Sequence, residues 1–153
     1  MTDHALLERV QAYRMMPENR SPHAAAMGTE IVDMDKFEAT IKLPFSDHLV
    51  GNPENGVVHG GVITTALDSA CGLASIASLD KPSAIATLDL RIDYLKPATH
   101  GLDIYAWANC YKMTRNIIFL RGVAYHEDRD DPIANCVATF MLTPDAPQPV
   151  LPE

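Results

Sequence analysis

The chain has 153 residues, 47% hydrophobic and 21% charged, with a formal net charge of −8 at pH 7. That length suits one domain with one sizeable core, and a surface of that sign repels nucleic-acid phosphates, which excludes a general nucleic-acid partner. Three widely spaced cysteines, Cys71, Cys110 and Cys136, form neither a disulfide framework nor a C-x-x-C metal site, and the six histidines include no pair four apart, so no metal or redox cofactor is expected.

The first twenty residues carry Asp3, Glu8 and Arg9 without an apolar run, which does not read as a secretory signal. Within residues 4–16, Leu6, Leu7, Val10 and Tyr13 fall at helical spacing. Pro17 ends that helix, and the stretch around Asn19-Arg20-Ser21-Pro22 reads as a loop. From 29 to 43, β-branched and charged residues alternate, broken near Met34-Asp35-Lys36, which predicts two antiparallel strands. Residues 46–56 are rich in Asn, Pro and Gly and read as a loop. Residues 61–79 follow as one long helix whose apolar positions include Val62, Ile63, Ala66, Leu67, Ala70, Leu73 and Ala74. Ile63, Thr64, Thr65 and Gly72 are mediocre or poor helix formers, so burial has to stabilise it. The stretch 57–79 also contains His59 and Asp68, so it is not a membrane span, and a cytoplasmic protein without a membrane partner is expected.

Four strand-like runs complete the chain, at 84–95, 102–113, 117–126 and 133–142. Turn chemistry separates them, and four prolines mark residues 143–153 as a loose tail. Consecutive strands joined by short turns suggest an antiparallel meander with one face to cover, and the long helix is the element available to cover it. The pattern is α+β, a single domain over 1–153 with its core at about 29–143, an N-terminal helix and loop at 1–28 and the tail at 144–153.

On the long helix, Gly61, Thr64, Thr65, Asp68, Cys71, Gly72 and Ser75 recur at i, i+3, i+4 and i+7 spacing. One face is therefore small or polar, with an aspartate at its centre. The helix is entered through His59-Gly60-Gly61, where glycine exposes backbone N–H groups at a helix start that attracts negative charge. Such an N–H suits the oxygen of a polarised carbonyl. Gly61 and Asp68 are about 10 Å apart along the axis at 1.5 Å per residue, too far to share one reacting carbon. A two-fold dimer with antiparallel helices would bring Asp68 of one subunit to Gly61 of the other.

The string Asn52-Pro-Glu-Asn-Gly-Val-Val-His-Gly-Gly-Val-Ile-Thr-Thr-Ala-Leu-Asp68 resembles the signature of PaaI-like acyl-CoA thioesterases, and Leu88-Asp-Leu-Arg-Ile-Asp-Tyr-Leu-Lys-Pro97 resembles a strand of the same family. The resemblance runs over about 29–143. It implies a hot-dog fold, an antiparallel sheet of five to six strands wrapped round one central helix, assembled as a dimer or dimer of dimers. It also implies hydrolysis of an acyl-CoA thioester, with the N–H of Gly61 polarising the carbonyl and Asp68 of the partner subunit acting as general base or nucleophile. His59 and Gly60 lie beside that site. The family's supporting asparagine falls where this chain has Pro53; Asn52 or Asn55 is expected to stand in, with Asn52 preferred because it adjoins a Pro-fixed turn. The family's water-orienting hydroxyl matches Thr87. By strict alternation Thr87 shares a face with Asp89, Arg91 and Asp93, so it reaches the site only from a subunit cleft or through a bulge. Lys96, Lys112 and Arg115 are the candidates for the coenzyme A phosphates. Two other functions fit the same fold: an enoyl-CoA hydratase or dehydratase, whose carboxylate–histidine motif is not found here, and a non-catalytic acyl-CoA sensor, for which the chain offers no DNA-binding module.

Overall fold

The computed structural model describes residues 4–15, 19, 21–80 and 83–143. The expected tail at 144–153 lies outside them. The elements run α1 (His4–Met15), α2 (Pro22–Met27), β1 (Glu30–Asp35), β2 (Glu38–Leu43), a 3-10 turn (Asp47–Leu49), β3 (Val50–Asn52), β4 (Val57–Val58), α3 (Gly60–Ala77), β5 (Ala84–Tyr94), β6 (Ile104–Met113), β7 (Ile117–Tyr125) and β8 (Ala134–Thr143). All pairings are antiparallel, and the main sheet has the order β1-β2-β6-β7-β8-β5. It curls round α3, as the hot-dog resemblance implies.

The meander expectation holds for β6, β7 and β8 and fails for β5. Helix α3 leaves β2 and delivers the chain to the far edge, where β5 pairs with β8. The loop at 95–103 then returns the chain to β6, which pairs with β2. This detour lets the two edges of the sheet close on the helix from both sides.

Helix α3 is held by its apolar arc. Val62, Ile63, Ala66, Leu67, Ala70, Leu73, Ala74 and Ala77 are buried against the concave face of the sheet, among them Ala106, Ala108, Ile118, Leu120 and Phe140. Each large aliphatic so buried stabilises the fold by about 1.5–3 kcal/mol, which offsets the weak intrinsic propensity of Thr64, Thr65 and Gly72. Ser75 and Ser78 are buried with it, and their hydroxyls donate to the carbonyls of Cys71 (2.9 Å) and Ala74 (2.7 Å). The helix has the length and apolarity of a membrane span, but those properties serve the core.

The N-terminal segment holds more than a helix and a loop. The short α2 begins after Ser21, whose side chain accepts from the Ala24 N–H, and ends at Gly28 in the left-handed conformation at φ 71°. Such a turn favours glycine. In α1, Val10 is buried, and Gln11 donates to the carbonyl of Ile31 at 2.8 Å, which anchors the helix to β1. The side chains of Leu6 and Leu7 lie outside those described.

Candidate active site

The approach to α3 is fixed by backbone. The His59 N–H donates to the Leu49 carbonyl at 2.9 Å, and Gly51 lets β3 pass His59 so closely that a β-carbon there would lie 2.8 Å from the His59 Cα. His59 is the N-cap residue of α3 with extended backbone, and its Nδ1 accepts from the Gly61 N–H at 2.9 Å. This pairing assigns the ring proton to Nε2. The Gly61 N–H is thus already engaged. Among the described residues, the Gly60 N–H has no acceptor, as expected of the first orphan donor of a helix.

Tyr94, the last residue of β5, completes this end of the site and carried no signal in the sequence. Its hydroxyl lies 2.7 Å from Thr64 Oγ1 and donates to the Gly60 carbonyl at 3.1 Å. Thr64 and Thr65 hydroxyls donate to the carbonyls of Gly60 (3.2 Å) and Gly61 (3.0 Å). The carbonyls of both glycines are therefore tied down, and the free N–H at Gly60 is oriented by its own peptide plane, whose His59 carbonyl accepts from the Val62 N–H at 2.9 Å. A hollow of about 370 Å³ opens beside Gly61, bordered by His59, Gly61 and Thr65 on one side and His23 and Met27 on the other.

Asp68 lies two turns further along α3, half-buried, and its Oδ1 accepts from the Thr87 hydroxyl at 2.9 Å. The alternation that would have turned Thr87 away is broken by a bulge. Thr87 opposes Phe140 while Asp89 opposes Thr139, so Leu88 is the extra residue. Before it, Ile85 and Thr87 face the helix; after it, Leu90, Ile92 and Tyr94 do. Asp89, Arg91 and Asp93 point outward. A one-residue slip of phase inverts every later side chain, and here it brings a hydroxyl onto a carboxylate.

The remaining candidates are more dispersed. Asn52 and Asn55 use their Oδ1 atoms within their own loop, accepting from the N–H groups of Glu54 (2.9 Å) and Val57 (3.1 Å). Lys96 is ion-paired with Asp131. Lys112 and Arg115 are exposed, near Met113 and the turn to β7, at the end of the sheet where Ala86 opposes Met141. Gly60 lies at the opposite end, against Tyr94. A single chain does not bring Lys112 and Arg115 to Gly60. Nor does it bring Asp68 there, since eight residues of helix separate them by about 12 Å.

Cys71 and Cys136 are buried with their sulfurs 3.8 Å apart. That contact, followed by burial, pushes the Cys71 thiol far above its ordinary range, so it is protonated and is no nucleophile. Among the described residues no group of three His, Cys, Asp or Glu side chains is arranged to hold a metal ion.

The family model of the thioesterase superfamily matches residues 55–133, which hold the helix start, Asp68 and Thr87. The medium/long-chain acyl-CoA thioesterase YigI of Escherichia coli (strain K12) is 29% identical over 154 residues, covering 90% of this chain and 98% of that protein. A Pseudomonas aeruginosa protein of known crystal structure is 43% identical, with a TM-score of 0.76 over 89% of this chain and 98% of that one. The Escherichia coli PaaI protein of the phenylacetic acid degradation operon shares the fold, with a TM-score of 0.76 at 17% identity, over 90% of this chain and 96% of that one.

Proposed function

The chain belongs to the thioesterase superfamily, and from that premise we propose that it hydrolyses acyl-CoA thioesters in a site shared between two copies of itself. It is a thioester hydrolase with a hot-dog fold. Acyl-CoA as the thioester is supported by the similarity to YigI along nearly the whole chain. A cytoplasmic location fits such a substrate.

The observation that carries the site is the Thr87–Asp68 hydrogen bond. It holds one carboxylate oxygen in place and leaves the other, Oδ2, to accept a proton from water. The carbonyl oxygen is held by the Gly60 N–H, in preference to that of Gly61, which His59 occupies. The free N–H lies at a helix start, where the partial positive charge favours a developing oxyanion.

In the reaction, water adds through its oxygen to the thioester carbon while its proton passes to Asp68 of the partner subunit. The resulting oxyanion rests on the Gly60 N–H. Collapse breaks the carbon–sulfur bond, and the leaving coenzyme A thiolate takes the proton back from the carboxyl group. Direct attack by Asp68 to give an anhydride is the alternative. Single turnover in ¹⁸O-water separates the two, because only the anhydride route can carry label into the Asp68 side chain.

Two features support the dimer. The first is the spacing of Gly60 and Asp68. The second is β5, an edge strand open on the side away from β8, on which Leu88 is 53% exposed, with Leu95 just past its end 52% exposed, since an open strand edge is a natural site for pairing with another chain. Antiparallel pairing there would carry Lys112 and Arg115 of one subunit toward the Gly60 end of the other, within reach of coenzyme A phosphates. Asn52 and Asn55 keep their Nδ2 donors for the carbonyl, and Asn52 remains preferred.

The test is Asp68→Asn in a thiol-release assay across an acyl-CoA panel. Turnover is expected to fall by about 10³-fold or more, in the range lost with an essential base, with the melting temperature preserved. Undiminished hydrolysis by a folded variant refutes the assignment. Enoyl-CoA hydration without thiol release would favour the hydratase reading, and tight acyl-CoA binding without turnover the sensor.

A further inference from the structure

A second cavity, of about 430 Å³, lies between α1, α2, β1, β2 and α3 and has no part in the steps above. Its floor is aliphatic, from Ile31, Ile41 and Leu73, and Ala24 and Ala25 of α2 form a wall without bulk. The Gln11–Ile31 hydrogen bond holds α1 against it. On α3 the cavity is bordered by Ser69, the residue after Asp68. At 100° per residue these two flank one face of the helix, which carries Gly61, Thr65, Gly72 and Ile76 between them. At the level of Asp68 and Ser69 the residues between the carboxylate and the cavity are Thr65 and Gly72, the latter beside Phe140 and Ile85, while Ile76 lies two turns further on.

We propose that this cavity receives the hydrocarbon tail of the acyl group, which makes medium-chain fatty acyl-CoA the preferred substrate class; the inference rests on the acyl-CoA reading above. Of the polar lining, Gln11, Ser21 and Thr29 are engaged in hydrogen bonds within the chain, with Glu30 and Ser69 beside them, so the gain open to a ligand lies on the aliphatic floor, where methylenes leave water. A methylene fills roughly the ~30 Å³ of a water molecule, so about 430 Å³ admits a tail of at most about fourteen carbons. Burial of each successive methylene is worth about fourfold in affinity. The kcat/KM is accordingly expected to climb from butyryl-CoA to dodecanoyl-CoA and to stop climbing by hexadecanoyl-CoA.

Ala25→Phe fills the cavity from the α2 side, and Ala24→Leu does so more mildly. Both are to be assayed with butyryl-, octanoyl-, dodecanoyl- and hexadecanoyl-CoA, alongside calorimetric titration of wild type and variants with decanoate. Ala25→Phe should lower kcat/KM for dodecanoyl-CoA at least tenfold, leave that for butyryl-CoA within about twofold, and weaken decanoate binding to the same degree, with Ala24→Leu between. An unchanged chain-length profile in both variants, or an equal fall for every length, overturns the proposal. Should wild type hydrolyse no acyl-CoA yet bind decanoate in a manner that Ala25→Phe abolishes, the hydrolase mechanism falls and the cavity assignment stands. Failure of wild type to bind decanoate, with no chain-length preference, sinks the cavity assignment alone.

Discussion

Replacing Thr87 by valine removes one hydroxyl and little else. The β-branched shape is kept and so is the bulge at Leu88, which depends on backbone register rather than on the Thr87 oxygen. The lost contact is the 2.9 Å hydrogen bond to Asp68 Oδ1. A hydrogen bond to a charged group contributes about 1.5–3 kcal/mol, and the open position of Thr87 lets water replace part of it. The lower end, about 1.5 kcal/mol, corresponds to roughly a tenfold loss in kcat/KM. That loss should lie in kcat, because Asp68 acts in the chemical step, and KM should stay within about twofold. Thr87→Ser keeps the donor and should recover most of the activity. The assay is thiol release at saturating and limiting acyl-CoA, with thermal melts to show that both variants fold. Wild-type turnover in Thr87→Val, or equal losses in the valine and serine variants, would refute the claim that the hydroxyl positions the carboxylate.

Tyr94→Phe should lower kcat/KM about fivefold, the equivalent of one neutral hydrogen bond near 1 kcal/mol, by loosening the Gly60 carbonyl; unchanged kinetics would remove Tyr94 from the site. Gly122→Ala should be costly, because its new β-carbon would lie 2.8 Å from the Trp107 carbonyl oxygen and 3.0 Å from Cys136 Sγ. Overpacking of this kind destabilises by about 1–3 kcal/mol, read as a fall of several degrees in melting temperature by calorimetry. Asp103 accepts from the Phe45 N–H at 2.7 Å and is ion-paired with Lys42 at 3.1 Å, which together hold its carboxyl below the ordinary range. Protonation therefore disfavours the folded state more than the unfolded one, and this contribution is present in full above about pH 4. In urea titrations wild type should exceed Asp103→Asn in stability at neutral pH, and the gap should close as the pH falls through the depressed folded value.

Much of this architecture could be read from residue order alone, for a physical reason. Helix α3 and strands β6–β8 bury one face each, so burial imprints a period on the sequence, and 104–143 shows the alternation that the folded strands use. Features that depend on a single residue left no such imprint. The extra Leu88 is an ordinary strand residue, and only the pairing of β5 with β8 reveals that it has no opposite number. The placement of β5 at the far edge follows from a crossover, which periodicity does not encode. Helix α2 was missed because six residues are too few for an apolar period, although Ser21, Pro22 and Gly28 carried the capping chemistry. At the site, the chemistry-bearing stretch 59–68 was legible from its composition. Which of two adjacent N–H groups is free was not, since that depends on the side-chain torsions of His59.

The burial of α3 also has a consequence in time. Its last residue is Ala77, yet β6, β7 and β8, which cover most of its apolar arc and are made after it, span residues 104–143. At about 5–20 residues per second, synthesis leaves a finished apolar helix waiting roughly 3–13 s for its sheet. Strands β1 and β2 precede it but can shield only one flank. The nascent chain thus passes through a stage in which its most water-averse segment is complete and uncovered, a period when chaperones, other nascent copies and membranes compete for it.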